Sequence, residues 1–334
     1  MKAVGYKKAL PITDDNALLD ITLPEPIARG RDLLVEIKAI SANPIDVKVR
    51  SNTTPSDSEY KVLGWDAAGI VRAVGDQVSL FKPGDRIFYA GSLTRSGTNS
   101  ELHLVDERIV GHMPGSLTYV QAAALPLTSI TAWELLFDRL GITAQTTGAL
   151  LVIGAAGGVG SILIQLARQL TGLTVIGTAS RPETEQWVRG LGAHHVIDHS
   201  KPLSQELKKI GFDSVPYVAS LNQTGHHMDE IVASITPQGK FALIDDPTSL
   251  DVMKLKRKSI SLHWELMFTR SMFETPDMQK QHDLLNEIAR LIDAGTIKTT
   301  IAENFGTINA ANLRRAHALL ESNTSKGKIV LEGF

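Results

Sequence analysis

The sequence predicts an α/β protein in which a strand-rich N-terminal barrel or sandwich precedes a doubly wound parallel sheet flanked by helices. Three observations carry this. Residues 1 to about 120 hold short apolar bursts punctuated by Gly, Pro and Asp; beyond them, short wholly apolar runs alternate with helix-like segments; and a glycine-rich turn joins the first of those runs to a helix. With 334 residues the chain can bury roughly two cores without disulfide or metal staples.

In order, LLVEIKAI (33–40), AGIVRAV (68–74) and DRIFYAG (85–91) read as strands, and VGDQV and FKPGDRI supply the turns between them. After Pro126, residues 129–140 have helical spacing, and ALLVIG (149–154) is the kind of run found in a parallel strand buried on both faces. A helix over 158–170 and the strand LTVIGT (173–178) follow. HVI (195–197), VPYVA (215–219) and KFALI (240–244) continue the strand series, and SISLHWEL (259–266) is its candidate last member. The tail predicts a helix over 278–294, a strand near Thr300, a helix over 310–322 and a final strand in GKIVLEGF that returns to the first domain. The expected boundaries are 1–123 for the strand-rich domain, 124–272 for the parallel-sheet domain and 273–334 for the segment returning to the first domain.

Thirty-four Lys+Arg against 36 Asp+Glu leave a net charge of −2, so no global positive field attracts nucleic acid or an anionic membrane. The absence of cysteine excludes disulfides, thiol nucleophiles and thiolate zinc sites. MKAVGYKKALPI lacks the apolar core of a signal peptide, and no stretch reads as a membrane span of ~18 apolar residues. A cytoplasmic protein with a small-molecule partner is expected.

The sharpest local motif is VIGAAGGVGS (152–161), set between a strand and a helix. Such a turn needs residues without bulky side chains, so that backbone N–H groups of Ala155, Gly157, Gly158, Val159 and Gly160 and the helix N-terminus can approach a pyrophosphate. The end of the second strand selects the cofactor. NAD-binding turns carry Asp or Glu about 20 residues on; here the chain reads Gly177-Thr178-Ala179-Ser180-Arg181, with hydroxyls and a guanidinium suited to a ribose phosphate. NADP(H) is the predicted cofactor.

With ANPIDVKVR (42–50), LGWDAAGIVRAVG (63–75), FKPGDRIF (81–88), AAALPLTSITAWELL (122–136) and GAAGGVGSILIQLAR (154–168) on the page, the chain resembles the medium-chain dehydrogenase/reductase superfamily over its whole length. The resemblance is nearest to its zinc-type alcohol dehydrogenase-like and quinone oxidoreductase branches. It implies a chaperonin-10 (GroES)-like barrel, a Rossmann domain and hydride transfer in the cleft between them. Zinc-dependent members place Cys, His with Glu, and Cys around the metal; the matching positions here are Asn43, Trp65-Asp66 and a point near Leu127. The resemblance therefore implies no catalytic zinc, and the stretch from Tyr89 to Val105 lacks the cysteine-rich structural lobe. His194, His195, His199, His226 and His227 show no metal spacing and read as surface histidines.

Without a Lewis acid, a conjugated acceptor that spreads incoming charge is favoured over an alcohol, so reduction of quinones or α,β-unsaturated carbonyls is expected. Catalytic candidates are Asn43, whose amide either faces substrate or caps the turn before Pro44, together with Asp46 and Tyr60. Lys48 reads more readily as a solvated lysine. Thr128 and Thr131 match the nicotinamide-side helix, either bonding the cofactor or back-bonding within that helix. Trp65, Tyr89, His263, Trp264 and Phe268 are candidate pocket walls. A zinc-type alcohol dehydrogenase and a non-catalytic NADPH-binding sensor are the alternatives, and a homodimer through the SISLHWEL edge is the expected assembly.

Overall fold

The computed structural model describes residues 1–56 and 59–334. Its strands are β1 (Lys2–Tyr6), β2 (Leu19–Thr22), β3 (Asp32–Ala42), β4 (Lys61–Val62), β5 (Asp66–Val74), β6 (Arg86–Ala90), β7 (Leu102–Asp106) and β8 (Val110–His112). There follow β9 (Thr147–Ile153), β10 (Gly172–Thr178), β11 (His195–Ile197), β12 (Val215–Ser220), β13 (Ile235–Leu243), β14 (Ser261–Trp264), β15 (Ile301–Asn304) and β16 (Lys328–Glu332).

The chain forms two compact units, Met1–Ile130 with Phe268–Phe334, and Thr131–Met267. This corrects the predicted boundaries. Residues 124–130 and 268–272 belong to the first unit, because the Leu127 N–H donates to Asp66 at 2.7 Å and the Phe268 ring meets Trp65 edge-on at 6.1 Å. Glycine and proline spacing does not report such contacts.

In the first unit, a sheet ordered β15-β16-β3-β5-β6-β8, with β7 also on β3, stands beside the small sheet β2-β1-β4. A bridge between Ala3 and Ser100 ties the two together. Along β3, Leu33, Val35, Ile37 and Ala39 are buried while the residues between them are half-buried, which is the period-two pattern of a strand with one face on a core. The returning β16 pairs antiparallel with β3, so Lys328 is brought beside Ala42 and Asn43.

The second unit is a parallel sheet ordered β11-β10-β9-β12-β13-β14. Counted from β9 this is the order 3-2-1-4-5-6, whose topological switch lies between β9 and β12. Ala149 to Ile153 are buried throughout, as expected of a central strand covered on both faces. Helix Gly158–Leu170 packs Ile162, Leu163, Ile164, Leu166 and Ala167 inward.

The predicted helix over 129–140 is instead helix Pro126–Trp133 followed by a π-helical segment, Glu134–Arg139. With helix Tyr119–Ala123 these form a helical run, Tyr119–Arg139, apolar and long enough to cross a membrane by length and composition. The sequence reading missed it. Seventy-eight per cent of its apolar window is buried in the protein, as in a core helix.

The π segment places Glu134 against Glu265, with Arg139 Nε donating to Glu265 Oε2 at 2.7 Å. Burial, then the facing Glu134 carboxylate, push Glu265 up to about 8. An acid raised in this way contributes stability that is lost as pH climbs from the ordinary carboxylate range through 8, at roughly 1.4 kcal/mol per pH unit. Glu265→Gln is expected to remove that slope. Urea denaturation at pH 5 to 8 checks it, and parallel slopes for the two proteins would refute it.

Candidate active site

The glycine turn follows β9 at the carboxyl end of the sheet. Gly154 has φ +80°, a left-handed conformation that L side chains rarely adopt. Gly160 lies inside the first helical turn, where a Cβ would sit 2.5 Å from the Ala155 carbonyl oxygen and 2.6 Å from that of Gly154. Gly157 caps helix Gly158–Leu170 without a side-chain hydrogen bond, leaving the first N–H groups to a ligand or water. Ala155 is buried, and Gly157, Gly158 and Val159 are half-buried along the turn.

At the end of β10, Thr178 Oγ1 accepts from the Gly154 N–H at 3.3 Å and lies 3.2 Å from His199 Nδ1. Ser180 is exposed, and Arg181 is 42% exposed with its Nε 3.4 Å from Glu183. No carboxylate stands at 178–181, so these residues fit a phosphorylated ribose. His199 was missed by the sequence reading. Its Nδ1 engages Thr178 and His227 is buried, so these two are not the surface histidines expected; His194, although exposed, accepts from the Val175 N–H.

In the first unit, four buried polar side chains meet: Asn43, Asp46, Asp66 and Lys328, each no more than 2% exposed. Lys328 Nζ donates to Asp66 Oδ2 at 2.9 Å and to Asn43 Oδ1. Asn43 Nδ2 donates to Asp66 Oδ2 at 2.8 Å and to the Ser41 carbonyl at 3.2 Å. Asp66 Oδ1 accepts from the Leu127 N–H at 2.7 Å. Asp46 lies in the first turn of helix Pro44–Asn52, accepting from the Asn43 N–H at 2.6 Å and the Gly64 N–H at 3.0 Å, and burial pushes it up to about 7.

The three positions matched to zinc ligands therefore do converge, but as a hydrogen-bonded knot. Both amide hydrogens of Asn43 are committed, so Asn43 holds Asp66 and its own turn and does not present a donor to substrate. Asp46 is likewise a positioning residue. Lys328 escaped the sequence reading; its only signal was a lone cation opening an apolar final strand.

These residues do not fit zinc. Asn43 Oδ1 and both Asp66 oxygens already accept hydrogen bonds, Trp65 offers only an N–H, which it donates to Ser92 O at 3.1 Å, and the ammonium of Lys328 opposes a dication. Among the described residues no group of three His, Cys, Asp or Glu is placed to hold a metal.

The remaining candidates scatter. Tyr60 is 38% exposed, with the Lys7 ammonium 4.5 Å from its ring centre, and is no part of the buried knot. Trp65 and Phe268 pack together in the first unit, whereas Tyr89 is buried with its hydroxyl 3.0 Å from His103 Nδ1. Burial holds His103 down at about 4, so the ring stays neutral, and Tyr89 is a core residue, not a pocket wall. Trp264 is 53% exposed on edge strand β14, beside half-buried His263. Thr128 Oγ1 donates to the Leu125 carbonyl at 3.1 Å, the back-bonding alternative, and Thr131 is buried. A groove of about 540 Å³ elsewhere in the first unit is lined by Glu36, Lys38 and Arg72, which pair with one another and bring no reactive groups together.

Two families match. Residues 29–131 match the alcohol dehydrogenase GroES-like domain, and residues 191–331 match the zinc-binding dehydrogenase family. The chain is 38% identical, over 99% of both proteins, to a zinc-type alcohol dehydrogenase-like protein of Staphylococcus epidermidis. It is 33% identical to the quinone oxidoreductase of Pseudomonas aeruginosa, over 90% of this chain and 91% of that one. Among solved structures it resembles one bearing a zinc-dependent alcohol dehydrogenase name from Rhizobium etli, with TM-score 0.96, 59% identity and coverage of 100% and 98%. It also resembles Escherichia coli quinone oxidoreductase complexed with NADPH, with TM-score 0.84, 27% identity and coverage of 99% and 100%. With its GroES-like domain, its Rossmann-type sheet and relatives matching along its full length, the chain belongs to the medium-chain dehydrogenase/reductase superfamily.

Proposed function

We propose that this oxidoreductase uses NADPH to reduce a quinone or an α,β-unsaturated carbonyl, without zinc. The observation that carries the reading is the Lys328 ammonium bonded to both Asn43 and Asp66, at positions where zinc-dependent relatives need metal donors. Without a Lewis acid, an acceptor that delocalises the arriving electron pair has the lower barrier. NADPH when bound supplies the hydride. The backbone of Ala155, Gly157, Gly158, Val159 and Gly160 holds the pyrophosphate, and Arg181 with Thr178 and Ser180 holds the ribose phosphate. Water delivers the proton that balances the transfer. A homodimer through the open edge of β14 belongs to the same reading.

The test compares NADPH and NADH oxidation across a quinone and enone panel in chelator, with metal content and molar mass measured on the same sample. Turnover in chelator with an NADPH preference is expected. Activity lost on chelation and restored by zinc would instead make it an alcohol dehydrogenase, and cofactor binding without turnover would make it a sensor. Arg181→Ala is expected to raise KM for NADPH about tenfold and leave NADH unchanged. An equal effect on both cofactors would remove Arg181 from the phosphate site.

A further inference from the structure

We propose that His199 is a cofactor-specificity residue that takes up a proton when an adenosine 2′-phosphate binds beside Arg181, so that NADPH affinity, unlike NADH affinity, falls as pH rises. The inference rests on the NADPH reading above and deepens it.

The placement comes from the sheet. β10 and β11 are parallel with Thr178 opposite Ile197, so the residues just beyond β11 flank the end of β10. His199 Nδ1 lies 3.2 Å from Thr178 Oγ1, and that hydroxyl also accepts the Gly154 N–H at 3.3 Å. One hydroxyl thus ties the imidazole to the glycine turn. It serves either protonation state: a neutral ring accepts the Thr178 proton at Nδ1 and keeps Nε2–H as a donor, while an imidazolium donates from Nδ1 into the same oxygen.

Burial first, and then the charge of Arg181, disfavour a proton on the free ring. On its own segment, Asp198 favours the proton, but that carboxylate accepts from the Ser200 N–H and hydroxyl at 2.9 and 2.7 Å and pairs with Lys201 at 3.2 Å. Across from it, helix Thr224–Ser234 presents His227, with ring centres 6.2 Å apart, and His226 lies 4.9 Å behind that ring. Glu230 and Asp245 face His227, but Glu230 accepts from Ser204 and Asp245 from Thr224. Arg181 disfavours a second positive charge beside it. Burial, the largest cause, and Arg181 therefore hold His199 below its ordinary 6.5. A bound phosphate dianion reverses this field. It favours the imidazolium, raising the ring's pKa in the complex above that of the free protein, so binding is strongest below the free value and weakens as pH rises through the complex value. NADH carries no 2′-phosphate and exerts no such pull.

Titration calorimetry of the full-length protein with NADPH and NADH at pH 6.5 to 8.5, in two buffers of different ionisation enthalpy, reads both affinity and proton uptake. NADPH affinity is expected to fall on the order of tenfold across this range, with buffer-dependent heats that report proton uptake, while NADH stays flat. His199→Gln is expected to abolish the slope and weaken NADPH about tenfold at pH 6.5; Arg181→Ala weakens NADPH at every pH and retains the slope. The wild-type heats need no variant, so misfolding of H199Q leaves the test intact. NADPH preferred with no proton uptake, or a slope that survives in H199Q, overturns this inference and leaves the cofactor reading standing. NADH bound as tightly as NADPH throughout overturns both.

Discussion

Lys328→Met is expected to destabilise the protein by about 3–5 kcal/mol, lowering Tm on the order of 10 °C. The side chain lost is 2% exposed and its partner Asp66 is fully buried, so removal of the ammonium strands a carboxylate that cannot reach water. What remains to Asp66 is the Leu127 N–H and one Asn43 N–H, two neutral donors against a full charge. Asp66→Asn in the same chain is expected to recover most of the loss, because an amide oxygen keeps the Leu127 bond without buried charge. Thermal melts and urea titrations of both variants check this pair. A Lys328→Met protein within about 1 kcal/mol of wild type would mean that water reaches the knot.

Gly160→Val is expected to weaken NADPH and NADH alike by 100-fold or more, on the order of 3 kcal/mol. A Cβ there would lie 2.5 and 2.6 Å from two backbone carbonyl oxygens, and backbone cannot swing aside as a flexible side chain can. The turn must open, and its N–H donors then leave the pyrophosphate. Gly190, at the end of helix Pro182–Gly190, has nothing within 4 Å of an added Cβ, so Gly190→Ala is the matched control and should bind normally. Cofactor fluorescence titration reads both proteins. Gly160→Val binding within threefold of wild type would show that the turn does not carry the pyrophosphate.

Much of the nucleotide unit was legible in the chain, and for a local reason. A parallel strand covered on both faces must be apolar along its length, as Ala149 to Ile153 are, and helix Gly158–Leu170 begins and ends where its spacing predicts. The edges were harder. SISLHWEL reads as one long run, but only Ser261–Trp264 pairs, because the chain departs from β13 after Leu243. The π segment was invisible to spacing, which does not report that Arg139 at its end pairs with Glu265, set 126 positions away.

Residue types and short-range spacing thus determined by themselves the two-part architecture, the glycine turn and the lack of a carboxylate after β10, all properties of contiguous chain. Partnership was decided only in three dimensions. Lys328 reaches Asn43 across 285 positions, His199 reaches Thr178 across 21, and Tyr89 spends its hydroxyl on His103. A buried polar group must find a complementary group or forfeit its hydration, and strand pairing, which no local pattern encodes, chooses which one it meets. That is why Asn43, read from the sequence as a donor toward substrate, is in the folded protein a clamp on Asp66.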